Sequence, residues 1–166
     1  FNWTRSAVAG ISNPAGSGTG NPNETLINTT AAPINVTYVY SVSANGCANP
    51  GPYNVVVLVN PSPTLTSSLT PPGICSNTTF NYTPTSGTAG TTFDWSRAAV
   101  AGISNPANSG IGDPNEVLDN TTLNTPITVT YVYTLTANGC INIQNVTVVV
   151  TPAPTLSSPS PTTICS

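Results

Sequence analysis

Charge is the scarcest commodity in this chain. Seven of its 166 residues are charged, Arg5 and Arg97 being the only cations, and it has no Lys, no His and no Met. An average soluble domain devotes roughly a quarter of its residues to charge. Solubility must therefore come from hydroxyls and amides, which 28 Thr and 20 Asn provide. A net charge of −3 leaves no basic footprint for nucleic acid, and so little like-charge repulsion permits self-association. No stretch approaches the roughly 18 apolar residues of a membrane helix, so no membrane insertion is expected. Nor is there a signal peptide, which places any export signal outside this sequence.

The same shortages thin out the chemistry. Without His or Lys, proton transfer falls to Glu24, Asp94, Asp113, Glu116 and Asp119. No evident pair of them flanks a cleft, and no base is available to activate a serine or threonine. The chain reads as a non-enzyme without a cofactor. Cys47, Cys75, Cys140 and Cys165 lack both C-x-x-C spacing and His partners, which argues against zinc. The stretch "GDPNEVLD" gathers Asp113, Glu116 and Asp119, oxygen ligands of the kind calcium prefers. An earlier stretch, "GNPNETLI", has Asn21 and Ile27 at the corresponding places, so solvated surface carboxylates are the default reading and no metal is expected.

What is present is β-forming. Thr, Val and Tyr dominate the patterned segments, and 17 Pro and 13 Gly punctuate them, as in an all-β chain rich in turns. Proline and glycine also occur in disordered chains, but "NVTYVYSVS" and "VTVVV" are too strand-like for that. "TFDWSRA" alternates Phe93, Trp95 and Arg97 with polar neighbours, and "ITVTYVYTLT" puts Val129, Tyr131, Tyr133 and Leu135 on one face. "ANGC" is a hairpin turn, and "NVTVVVT" is a last strand. "TLTSS", "TTFNYTP" and "EVLDNTT" are further strands. "AGISNPANSGIGDPN" reads as a long loop, with a short strand near Val100 to Ile103.

The chain also repeats itself. Phe1, Trp3, Arg5, Gly10, Pro14, Glu24 and Leu26 recur as Phe93, Trp95, Arg97, Gly102, Pro106, Glu116 and Leu118; Pro33, Tyr38, Tyr40 and Cys47 recur as Pro126, Tyr131, Tyr133 and Cys140. Pro61-Ser-Pro63 returns as Pro152-Ala-Pro154, and "ICS" at 74–76 returns at 164–166. The period of about ninety residues is that of one immunoglobulin-like sandwich. The expectation is a tandem array: 1–60 a β-sandwich lacking its first strands, 61–62 a linker, 63–152 a complete sandwich, and 153–166 the first strand of another. The sequence then reads as a window cut from an array, with strand donation between chains as the sharper alternative.

Two of the five carboxylates, Glu24 and Glu116, recur in both copies, as do the two arginines. Structural ion pairs Arg5–Glu24 and Arg97–Glu116 are the favoured reading. The alternatives are an arginine lying over the neighbouring tryptophan and a ligand-binding arginine. Trp3, Trp95, Tyr38 and Tyr131 are candidate core aromatics, with Trp95 packed on Tyr131 or Tyr133. Eight Asn-x-Ser/Thr sequons occur, at Asn2, Asn23, Asn28, Asn35, Asn77, Asn81, Asn120 and Asn145; glycosylation is permitted by them, not indicated.

The tandem "VAGISNPA" at 8–15 and 100–107, with the "NGC" and "ICS" cysteine contexts, resembles the PKD-like, immunoglobulin-like repeats of very large surface proteins of Bacteroidota. The resemblance spans essentially the whole chain, although the "WDFGDG" signature of PKD proper is absent. It implies an exported polypeptide, cell-surface or extracellular, of adhesin or filament type and commonly sent out by type IX secretion. It carries over no catalytic residue. The function expected is a structural repeat of a stalk, filament or adhesin, with copies of itself or adjacent repeats as partners. A carbohydrate-binding accessory module of a secreted polysaccharide-degrading protein, with glycans as partners, is the alternative. In an exported chain disulfides persist. The repeat pattern favours Cys75 with Cys140, leaving Cys47 and Cys165 to pair with other array members. Bridges across domains or chains, and free thiols, stay open.

Overall fold

The computed structural model describes residues 1–48 and 50–156. They form an all-β chain of several sheets, with no helix, an arrangement consistent with a β-sandwich. In chain order the strands are β1 (Asn2–Arg5), β2 (Gly16–Thr19), β3 (Ile34–Ser41), β4 (Ser43–Ala44), β5 (Cys47–Ala48), β6 (Tyr53–Val59), β7 (Ile74–Cys75), β8 (Thr78–Phe80), β9 (Thr92–Arg97), β10 (Asn108–Ile111), β11 (Glu116–Leu118), β12 (Ile127–Ala137) and β13 (Cys140–Thr151). Two compact units result. Phe1–Thr66, Thr85–Thr92 and Leu135–Asn142 make the first, and the other described residues make the second.

The first unit is built on a four-stranded sheet ordered β2-β1-β3-β6, with β4 and β5 as a separate hairpin. Alternation decides which side chains go inward: Trp3 and Arg5 from β1, and Val36 and Tyr38 from β3, are buried, while their chain neighbours are not. Trp3, Ile11, Val36 and Tyr38 form the core, with Val8, Leu26, Ile34, Tyr40 and Val59 packed around it. β6 is an edge strand, joined antiparallel to β3 along seven residue pairs from Ile34↔Val59 to Tyr40↔Tyr53.

The second copy of the repeated sequence forms a five-stranded sheet, β10-β9-β12-β13-β7, and a two-stranded one, β11-β8. Asn138 (φ 50°) and Gly139 (φ 78°) make the left-handed turn between β12 and β13, as Asn45 (φ 52°) and Gly46 (φ 81°) do in the first copy. β10 lies where the sequence reads as loop, and the strand expected near Val100 is reduced to a single bridge between Ile103 and Asn120. Likewise "TLTSS" contributes only the bridge Leu65↔Ser86. β13 starts at Cys140, directly after the Asn-Gly turn, and takes in the valine run. Residues 153–156 carry no strand; the rest of the expected terminal strand, 157–166 with Cys165, lies outside the described residues.

Candidate functional site: a repeated ion pair and an open sheet edge

Each copy builds one charged cluster with the same arginine, glutamate, tyrosine and proline contacts; in the second, Asn108 Nδ2 also donates to Glu116 Oε1 (2.9 Å), where the first has Gly16. Arg5 Nε donates to Glu24 Oε2 (2.9 Å) and its Nη2 to Glu24 Oε1 (2.8 Å) and to the Pro14 carbonyl (2.7 Å). Arg97 Nε donates to Glu116 Oε2 (2.8 Å) and its Nη2 to Glu116 Oε1 (2.9 Å) and the Pro106 carbonyl (2.8 Å). Both arginines are only 2% exposed, so this two-toothed fork is what makes their burial tolerable. A tyrosine completes each cluster: Tyr38 Oη donates to Glu24 Oε2 (2.8 Å) and Tyr131 Oη to Glu116 Oε2 (2.7 Å). Arg5, followed by burial acting the other way and by the Tyr38 hydroxyl, brings the Glu24 carboxyl down to about 2. Burial pushes the Glu116 carboxyl up, but hydrogen bonds from Arg97, Asn108 and Tyr131 outweigh it and the net direction is down. Reading the tyrosines as core aromatics missed this second use; their recurrence beside the recurring glutamates was the available signal.

The tryptophans sit beneath these clusters. Trp3 meets Tyr38 edge-on at 5.4 Å between ring centroids, and Trp95 meets Tyr131 at 5.5 Å in the same way. Both indole N–H groups are buried without a hydrogen-bond acceptor, so packing alone holds the rings. Opposite them lie Gly18 and Gly110, paired in register with Trp3 and Trp95. A Cβ on Gly110 would stand 2.8 Å from Trp95 Cζ2, which explains a glycine-rich strand where propensity opposes one.

Asp113 and Asp119 accept hydrogen bonds from backbone N–H groups and serine hydroxyls. Asp113 Oδ1 accepts from the N–H groups of Tyr82 (2.8 Å) and Asn115 (3.1 Å). Asp119 accepts from Ser76 Oγ (3.0 Å) and Ser104 Oγ (2.8 Å). Among the described residues no three His, Cys, Asp or Glu side chains are grouped to hold a metal.

The bridge between Cys75 and Cys140 does not form; Cys47, Cys75 and Cys140 are free thiols. The bridge would need "ICSN" to run parallel to the last strand beside Cys140, and β7 does pair parallel to β13. Its register decides the matter: Cys75 stands opposite Thr151, at the end of β13, whereas Cys140 begins it. Eleven residues of strand, at roughly 3.3 Å each, separate the two levels by about 36 Å, against the roughly 7 Å between alpha carbons that a disulfide allows. Cys47 is exposed in the β4–β5 hairpin.

The two copies also differ in the burial of their last strand. Val146, Val148 and Val150 of β13 are wholly buried, and their counterparts in β6 include Val55 at 49% and Val57 at 40% exposure. Glu116–Leu118 is a strand paired with Thr78–Phe80; among the described residues Glu24–Leu26, nearly the same sequence, forms none. The result in the first unit is an open groove of about 650 Å³, walled by Leu26, Tyr38, Tyr40, Val55, Val57 and Val59, with Asn60, Asn138 and Cys140 at one end. No protein-family model matches the chain, and no curated protein resembles it.

Proposed function

We propose that this chain is a structural repeat of an extracellular stalk, filament or adhesin at a bacterial surface, made of tandem immunoglobulin-like sandwiches and working by rigid assembly, without catalysis. The observation that carries the reading is the duplication of one demanding interior. A buried arginine, its glutamate, a tyrosine hydroxyl and a proline carbonyl are reproduced in two stretches of one chain. A buried ion pair is weak as a source of stability but selective for one packing, which suits a module repeated many times. The boundaries that fit are an opening partial sandwich over 1–60, a linker at 61–62, a complete one over 63–152 and a new beginning at 153–166. Each Pro-x-Pro segment would limit bending between beads.

A glycan-binding module would display its aromatics. Here Trp3, Trp95, Tyr38 and Tyr131 are spent on the interior, which favours the structural reading. The test is dimensional. Polypeptides carrying two, four and six copies should show, by small-angle scattering, a maximal dimension that rises linearly with copy number. Growth as the square root of copy number, or a compact particle, would overturn the reading.

A further inference from the structure

We infer that the turn between β12 and β13 is a docking seat for the tail of a copy of this repeat, so that neighbouring repeats are joined by docking and not by proline stiffness alone. The inference rests on the repeat-assembly reading above and names the surface at which two repeats meet. The seat is "ANGCIN" at 137–142, a string that recurs as "ANGCAN" at 44–49. The tail is 60–66, the segment around Pro61-Ser-Pro63. Tail and seat belong to the same compact unit.

The tail is docked along its length. Pro61, Pro63 and Leu65 are buried while Ser62, Thr64 and Thr66 are exposed, the period-two alternation of a strand laid on a surface. A free tether would leave both sets in water. Leu65 forms an antiparallel bridge with Ser86, and Thr66 N–H donates to the Thr85 carbonyl (2.8 Å). Beside this bridge a Cβ on Gly87 would stand 3.5 Å from Ala31 Cβ, so the body of the first copy reaches the second as well as its tail.

The polar contacts give the Asn-Gly turn its use. Proline has no N–H, so Pro61 and Pro63 offer carbonyls only, and side-chain amides supply the missing donors. Asn142 Nδ2 donates to the Pro63 carbonyl (2.9 Å), and Asn60 Nδ2 donates to the Asn138 carbonyl (2.9 Å). Asn138 and Gly139, both left-handed, make a two-residue turn whose carbonyls lie outside the ladder and need partners elsewhere. Asn60 has Thr151 as its counterpart, whereas Pro63 returns as Pro154. The bond from Asn142 asks only for a backbone carbonyl, so it is the one that a further joint can keep.

The test is amide hydrogen exchange of the full chain, followed by NMR. The Thr66 amide should be protected. Asn60→Ala with Asn142→Ala should speed its exchange by about tenfold, the equivalent of two ordinary hydrogen bonds, while the amides of Val129 and Tyr131 keep their protection. Asn142→Asp, which has the same size but no donor, should act in the same direction. Pro61→Ala with Pro63→Ala should leave Thr66 protected. The inference is overturned if Thr66 in the unaltered chain exchanges as fast as an exposed loop amide, or if the proline variant loosens it as much as the asparagine variant does. Either outcome alongside a linear growth of length with copy number would remove the docking seat and leave the assembly reading standing. Loosening confined to the asparagine variants, alongside a compact many-copy particle, would keep the seat and remove that reading.

Discussion

At the scale of single residues, the Arg–Glu–Tyr cluster is the feature most exposed to substitution. Removing one partner of a buried pair strands the other charge, at a cost of about 3–5 kcal/mol. Arg97→Met should therefore lower the unfolding free energy of the second copy by that order in urea titrations. Arg97→Met combined with Glu116→Leu should recover most of the loss, because neither charge is then left alone. A double variant no more stable than the single one would mean that the arginine acts through its contact with Pro106. Acid exposes the same cluster. The Glu24 carboxyl lies at about 2, below its ordinary value of 4.5. Its contribution is fully present above about pH 4.5 and is lost as the pH falls toward 2. Glu116 is shifted in the same direction. Thermal midpoints should thus fall between pH 4.5 and 2, and Glu24→Gln with Glu116→Gln should flatten that dependence. An equally steep fall in the double variant would move the effect to another group.

At the scale of elements, the strands legible in the sequence are those with alternation and an ordinary turn. "ITVTYVYTLT", Asn138-Gly139 and the valine run fold as β12, a left-handed turn and β13. β10 was illegible because its Gly110 is there for clearance over Trp95, not for strand propensity. The ion pairs could be read by elimination, since a chain with two cations and two recurring glutamates has few ways to bury them. The disulfide could not. Sequence left both the direction and the register of β7 open, and it is the register that separates Cys75 from Cys140. Non-reducing peptide mapping of the monomeric chain should accordingly recover no Cys75–Cys140 peptide; recovering it would require β7 to slide nearly the length of β13. The same register argument gives a packing test. Gly110→Ala should cost about 1–3 kcal/mol by overpacking, and Trp95→Ala about 3–5 kcal/mol by leaving a cavity. If Trp95→Ala cost less than about 1 kcal/mol, the ring would not be part of the core.

At the scale of the whole molecule, residues 1–60 can be compared with residues 63–152, because only the latter stretch includes the segment Thr78–Phe80 that pairs with Glu116–Leu118. Val146, Val148 and Val150 lose all their solvent contact, and Phe80 and Tyr82 are buried in the same unit. Val55 and Val57 remain largely in water, and no ring stacks on Tyr40 among the described contacts. Each fully buried valine contributes on the order of 1.5–3 kcal/mol relative to an exposed one, and native domains hold only about 5–15 kcal/mol in reserve. Two or three uncovered valines are therefore enough to decide whether the first copy folds unaided. Residues 63–152, expressed alone, should give one cooperative thermal transition by circular dichroism. Residues 1–60, expressed alone, should give none, and should aggregate as the concentration rises, since β6 offers both an apolar face and an unpaired edge. A cooperative transition for 1–60 would show that Trp3, Val36 and Tyr38 suffice as a core, and the open face would then be a tolerated surface and not an unfilled one.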